Sequence, residues 1–517
     1  MRALAAALLL LSACSGGGGG AGDSAPPPPP PTAFVPASIL VWGLSPFTPD
    51  CGGFGGTLYI NSEVEPHLAV DPRDPNHLIG VWQQDRWSNG SSRGLLAGVS
   101  FDGGATWRAS QAPFSTCSGG IAANGGGYVR ATDPWIGISP DGTAHFISVS
   151  TSGGTFAAGS SNAVLVSRSM DGGRTWSNPA TLIRDGASAF NDKETLTPDP
   201  RDSRFVYAVW DRIVQGGGGP TWFARTLDGG ATWEPARAIF DPGPDQQTIG
   251  NLIRVLPDGT LVDVYARLRG DETSVGGAFL EVIRSQDHGA TWSVPVRISD
   301  FRPLGARDPN TGREIRDGAI IPQMAVAPNG NLYVVWQDGR FSGERDGIAL
   351  SRSTDGGLTW SAPARVNADP SVAAFTAQVH VRADGAVAVT YFDLRPDTPD
   401  TATLLVNYWM VRSSDGAVWS ETQLDGPFDI ATAPDAGGYF LGDYMGLASV
   451  GATFLSFYVR TTANPSNRND VFMARIPATV TTAAKRAPFL DLDARGADFD
   501  SRSFAALQRA RALRAMR

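Results

Sequence analysis

The chain has 517 residues, with 61 Gly, 37 Pro and 14 Trp, only 18% charged residues and a formal net charge of −9. This profile suits a turn-rich β protein and excludes a helical bundle or a chain too charged to fold. No basic stretch covers the main body, which argues against a nucleic-acid partner.

The first thirteen residues read as a leader. Arg2 supplies a positive start and Leu4 to Ala13 a short apolar core, too short to span a membrane. It ends in "LSAC", Leu11 to Cys14, which resembles the lipobox of bacterial lipoproteins. The resemblance implies cleavage before Cys14 and lipid on its sulfur. With Ser15 following, it implies sorting to the outer membrane or cell surface. An ordinary secretory signal is the alternative. Residues 14–32, "CSGGGGGAGDSAPPPPPPT", are a Gly-rich flexible stretch followed by a stiff proline run, which can bury no core and read as a tether. Cys51 and Cys117 sit in Gly-rich loops of a chain expected outside the cytoplasm, where one disulfide is the natural reading and two free thiols the alternative.

From there to about residue 480 the chain repeats itself. Hairpins with P-D-G, P-N-G, A-D-G or D-P-x-x-P turns between Val-, Ile- and Trp-rich strands recur seven times, as in "VLPDGTLVDVYARLR" and "AVAPNGNLYVVWQDGR". Six hairpins are followed by a turn of the type S-x-D-x-G-x-T-W, with its Asp at 102, 171, 228, 287, 355 and 415. Spacings of 57 to 69 residues fit a four-stranded antiparallel unit, the blade of an all-β propeller. Seven blades are preferred and six are the alternative, the body covering 33–480. The last hairpin is followed by "DVFMARI" without a turn motif, so a strand from the N-terminal region, "SILVW" from Ser38, is expected to close the ring. In the repeated turn the glycines supply positive φ, Asp accepts backbone N–H groups, and Trp packs under the turn. Six copies argue for structure, since an active site is built once. Residues 481–517 change character and end in an Arg-rich stretch read as a short basic helix, either packed loosely or frayed, or binding a membrane or partner.

The repeated turn at blade spacing resembles the Asp-box of the sialidase superfamily. The resemblance covers about residues 60 to 478. It identifies the fold more than the activity, because such propellers include glycosidases, receptors and assembly factors. Strand-one starts and strand-two ends share the face opposite the Asp-boxes. That face is dense in carboxylates and arginines, suited to a polar, anionic or sugar ligand, a glycan or glycoconjugate. The resemblance implies a Tyr nucleophile paired with a Glu, an Asp acid/base and three arginines on the substrate carboxylate. Carried over, these are Tyr444, Glu194 and Asp133, with Arg212, Arg340 and Arg395, and with Glu65 and Asp443 as further binding residues. The family's Arg-Ile-Pro is absent, "VEP" at Val64 to Pro66 standing in its place. Related Asp/Arg endings, "WQQDR", "WDR", "WQDGR" and "YFDLR", recur in several blades, which fits a structural strut as well as a grip. The expected function is thus a sialidase-like exo-acting glycoside hydrolase, with a non-catalytic propeller binding glycan or protein as the alternative. No pair among His67, His77, His145, His288 and His380 has metal-site spacing, and no cofactor is expected. A structural calcium held by Asp and carbonyl oxygens stays open.

Overall fold

The structure, a computed structural model, describes residues 36–53, 55–269 and 278–478. The leader, Cys14, the tether and the 481–517 tail lie outside the described residues. Among the described residues, seven four-stranded antiparallel blades are formed. Blades 1 to 6 cover 58–110, 130–185, 189–240, 246–301, 323–365 and 374–429. Blade 7 has three strands from 446–476, and its fourth is Ser38–Leu40, with Ser38 opposite Ala474 and Leu40 opposite Phe472. The ring is thus a β-propeller closed by its own N-terminal segment, which removes two open sheet edges.

Local chemistry explains the hairpins. In blades 2, 4, 5 and 6 the strand-one to strand-two turn has Gly142, Gly259, Gly330 or Gly385 at φ 84° to 91°. The preceding Asp or Asn side chain accepts the N–H two residues on, as Thr143 N to Asp141 at 2.9 Å and Thr260 N to Asp258 at 2.9 Å. A left-handed residue after such a turn is the conformation that joins twisted strands, and Gly takes it without a Cβ clash. Strand two then carries the core. Trp82, Trp210 and Trp336 are fully buried in blades 1, 3 and 5. Each indole N–H finds an acceptor, Gln84 at 3.0 Å, Asn191 at 2.9 Å and Asp338 at 2.7 Å. Truncating such a side chain costs about 3–5 kcal/mol.

The six repeat turns all join strands three and four. In the turn of Asp171, the Ser169 hydroxyl donates to the carboxylate at 2.7 Å and accepts the Gly173 N–H at 2.8 Å. Thr175 donates its N–H at 3.0 Å and its hydroxyl at 2.6 Å to the same carboxylate. Asp102, Asp228, Asp287 and Asp355 repeat this pattern. Asp415, without the Thr, accepts the N–H groups of Ala417 and Val418 instead. The turns also dock blade on blade. His77 of blade 1 reaches the Gly172 carbonyl of the next turn at 3.0 Å, and His288 in the turn of blade 4 meets the Tyr207 hydroxyl of blade 3 at 2.9 Å.

The disulfide expectation holds. Cys51 and Cys117 are bonded with Cα atoms 5.2 Å apart, within the usual span. It ties the segment before blade 1 to the connection between blades 1 and 2.

Candidate functional site

The first strands share a defect that builds the site. Ladder pairing breaks between Val64 and His67, Thr132 and Trp135, Asp192 and Thr195, Ile249 and Leu252, and Phe375 and Gln378. Two residues are unpaired each time, a bulge that re-aims side chains. The first of each pair has positive φ: Glu65 54°, Asp133 53°, Lys193 52°, Gly250 71° and Thr376 51°. For non-glycine residues this backbone costs on the order of 1 kcal/mol each and persists only where the surroundings impose it.

In blades 1, 2 and 3 the re-aimed residues meet. Lys193 Nζ lies 2.6 Å from Asp133, 2.7 Å from Asp443 and 3.3 Å from Glu65. Arg316 binds Asp443 through two nitrogens at 2.7 and 3.2 Å. Gln83 donates to Glu65 and, at 2.9 Å, to Thr132, and receives Arg86 at 2.8 Å. Arg86 and Arg316 both lie over the Phe440 ring, at 4.9 and 4.4 Å from its centroid. Glu65, Arg86, Asp133, Lys193 and Asp443 are buried, and the Arg316 side chain is 10% exposed.

Two segments between blades contribute to it. Ile315–Arg316 pairs in parallel with Tyr439–Phe440, and the two stretches bring in Arg316, Phe440 and Asp443. The approach is close: a Cβ on Gly442, at φ 143°, would lie 2.7 Å from the Glu65 nitrogen.

Burial and charge drive the carboxyls apart. Burial raises Glu194 well above the carboxylate range, and Asp133 adds to it. Neither Glu194 oxygen has a hydrogen-bond partner. Burial also lifts Glu65 to about 8, against the pull of Lys193. Asp443 is buried too, but Arg316 and Lys193 outweigh that cost and hold it well below the usual range. Tyr444 is pushed well above an ordinary phenol by burial and by Glu65, Asp133 and Glu194 around it. Its hydroxyl donates to the Pro134 carbonyl at 3.1 Å, and its ring meets Trp135 edge-on at 5.4 Å. Tyr444, Glu194, Lys193, Trp135, Asn251 and Gln323 line one small cavity.

Of the residues expected from the sequence, the structure therefore brings together Tyr444, Glu194, Asp133, Glu65 and Asp443. It does not bring the three arginines to them as a substrate grip. Arg212 binds Asp185 of the preceding blade at 2.7 Å. Arg340 binds Asp338 at 2.7 Å and reaches Ser299 of the preceding blade at 3.0 Å. Arg395 is held by Asp393 and, at 2.7 Å, by Glu421 within its own blade. The Asp-x-Arg endings of blades 5 and 6 are struts, because their Asp also takes an indole N–H, Asp338 from buried Trp336 and Asp393 from Trp409 of the next strand. The cations at the cluster are Lys193, Arg86 and Arg316. Arg316 escaped the sequence reading because it lies between blades, outside the repeat. The unusual length of that connection was its one signal.

Among the described residues no group of three or more His, Cys, Asp or Glu side chains is arranged to hold a metal ion. The histidines serve packing: His67 stacks on Trp135 with centroids 3.7 Å apart, and His380 meets Ser449 of the next blade at 2.9 Å.

The sequence matches no known protein-family profile. Solved structures of similar course include the Hadza microbial sialidase Hz136, at 16% identity over 86% of this chain and 94% of that one, with a TM-score of 0.43. The α-L-arabinofuranosidase Arb93A from Fusarium graminearum, solved with an iminosugar inhibitor, is 12% identical over 87% and 99%, with a TM-score of 0.45. The intramolecular trans-sialidase from Ruminococcus gnavus, solved with oseltamivir carboxylate, is 14% identical over 82% and 96%, with a TM-score of 0.40.

Proposed function

We propose that this chain is an exo-acting, sialidase-like glycoside hydrolase, held outside the cytoplasm by a lipid on Cys14. The observation that carries the reading is the single cavity shared by Tyr444 and Glu194, beside Lys193. Neighbouring carboxyls whose environments push them in opposite directions are the mark of an acid and an ionised partner. Burial and Asp133 raise the Glu194 carboxyl well above the carboxylate range and its oxygens have no hydrogen-bond partner, so it suits the donor to a departing glycosidic oxygen. Both oxygens of Asp133 act as acceptors, from Lys193 and from the Thr132 hydroxyl, so the acid role expected for it passes to Glu194. Asp443, held well below the carboxylate range by Arg316 and Lys193, is the ionised partner. Tyr444 is the nucleophile that the resemblance implies. Its Pro134 hydrogen bond must break, and an ionised carboxylate must take its proton, before it attacks.

A second reading, a non-catalytic propeller that binds glycan or protein, is favoured by the burial of these same residues. Tyr444 is only 4% exposed, which leaves little room for a substrate at its hydroxyl.

A panel of fluorogenic sialosides and arabinofuranosides separates the two. Glu194→Gln should lower turnover by about 10²–10⁴ with folding intact. Tyr444→Phe, which removes one hydroxyl, should lower it by orders of magnitude. Wild-type protein that cleaves nothing in the panel, or a Tyr444→Phe protein as active as wild type, would leave the binding reading standing. The anchor is tested separately: Cys14→Ala should move the protein from the membrane to the soluble fraction.

A further inference from the structure

The face opposite the cluster has a property that the fold does not require. Among the described residues, each of the six blades with a repeat turn shows one large, exposed apolar side chain in or just after that turn. They are Phe101 (42% exposed), Met170 (79%), Leu227 (45%), Val294 (81%), Leu358 (53%) and Val418 (57%). Turn tips normally carry small polar residues, and the hydrogen bonds of these turns use none of the six side chains, although the Phe101 ring also stacks on His77 at 4.6 Å and lies under Arg174 at 3.9 Å. Both ends of the described body lie on this same face. Strand three of blade 7, Asn467–Ile476, ends where the other blades turn. There the Arg475 guanidinium donates to the Gly103 carbonyl in the turn of blade 1, and Arg412, next to the turn of blade 6, donates to the Pro477 carbonyl at 3.0 Å. At the other end, Ser38 pairs with Ala474 and the strand runs away from this face, so the chain enters the body there.

We propose that the repeat-turn face is the membrane-facing side, seating its six apolar side chains at a lipid surface. The inference rests on the Cys14 anchor proposed above. From Cys14 to Pro36 the link is 36 − 14 = 22 residues, a reach of at most about 75 Å. The described chain begins at this face, where Ser38 pairs with Ala474. The chain leaving at Pro477 continues to a final seventeen residues with five arginines and no acid, a composition drawn to anionic headgroups. One apolar side chain per blade is a weak contact alone and becomes sufficient when the anchor holds the body near the surface. The cluster of Lys193, Glu194 and Tyr444 would then face outward.

The test is oxidative footprinting of the full lipidated chain on phosphatidylcholine–phosphatidylglycerol vesicles, with the full-length Cys14→Ala protein in solution as reference. Met170, Leu358 and Val418 should be oxidised severalfold more slowly on vesicles, while Leu44 and Ile60, exposed on the other face, should be unchanged. Met170→Ser with Leu358→Ser should stay anchored and lose the protection at Val418. Equal oxidation of Met170 on vesicles and in solution, or protection of Leu44 and Ile60 instead, overturns the proposal. So does protection of Met170 that grows with protein concentration without vesicles, which marks self-association. The mass of the Cys14 peptide separates the failures: an unmodified Cys14 ends both readings, and a lipidated Cys14 with unprotected turns ends this one alone.

Discussion

The same functional group, a carboxyl, lives in two opposite electrostatic states at the rim turns and at the hub. In the turns of Asp102, Asp228, Asp287 and Asp355, the hydroxyl of the following Thr and then its N–H hold the carboxyl down to about 2. At the hub, burial lifts Glu63, Glu194 and Asp211 well above the ordinary range and takes Asp192 to about 7. The turns are exposed and fully hydrogen-bonded, so charge there is stabilised locally and repeats without cost. The hub crowds buried carboxyls from several blades around few cations. Only Asp443, gripped by Lys193 and Arg316, is held below its ordinary range there. Repetition with every bond satisfied marks a structural part. Groups that differ from blade to blade, strained and unsatisfied, mark the place where one function can be built once.

The strongest way to break that contrast is to remove the hub's central cation. Lys193→Met leaves Asp133, Asp443 and Glu65 facing one another without their shared partner. Removing one member of a buried ionic set costs about 3–5 kcal/mol. Chemical denaturation should show a loss of this size. A loss under 1 kcal/mol would mean that the carboxyls simply take up protons, and that the hub is no tighter than the rim.

A smaller effect separates the two regions by pH. Asp192 is raised from 3.8 to about 7, chiefly by burial, so the folded state holds a proton that the unfolded chain has released. Its contribution is complete below about 4 and declines as pH rises towards 7, by at most about 1.4 kcal/mol per pH unit. Asp192→Asn should remove its part of that decline, read as denaturation midpoints between pH 4 and 7. A variant with the wild-type slope would show that Lys193 keeps Asp192 ionised after all.

The rim was legible in the sequence, and the hub was legible only in part. Six copies of one turn set the blade length, and the missing seventh turn pointed to Ser38 as the closing strand, because local bonds within eight residues dictate such a motif. Hairpin alternation likewise put Glu65, Asp133, Glu194 and Tyr444 on one face. The arginines went astray for a physical reason. Arg212, Arg340 and Arg395 share a repeated ending with their acidic partners, and nothing in one sequence tells a strut from a grip until the distances to Asp185, Asp338 and Glu421 are known. The bulges that aim Glu65, Asp133 and Lys193 were invisible, since no side chain announces a positive φ at a non-glycine residue. Arg316 and Phe440 come from unrepeated connections, where long-range packing alone decides what meets.

The smallest expected effect sharpens the contrast from the rim side. Asp171 accepts Ser169 at 2.7 Å and the Thr175 N–H and hydroxyl at 3.0 and 2.6 Å, but it is exposed, so water replaces most of what Asp171→Ala removes. The loss should be about 1 kcal/mol at neutral pH. Although burial opposes it, the Thr175 bonds hold the carboxyl at about 2, below the 3.8 of the unfolded chain. That difference stabilises the fold above about pH 4 and fades as pH falls through 2. Wild type and variant should therefore differ most near neutrality and converge in acid, as read by thermal melts at pH 7 and near pH 2. Ligand binding and any turnover per folded molecule should not change, because the turn and the hub lie on opposite faces. A variant that keeps its melting temperature but loses activity would place the function in the repeats, and would undo the division between rim and hub.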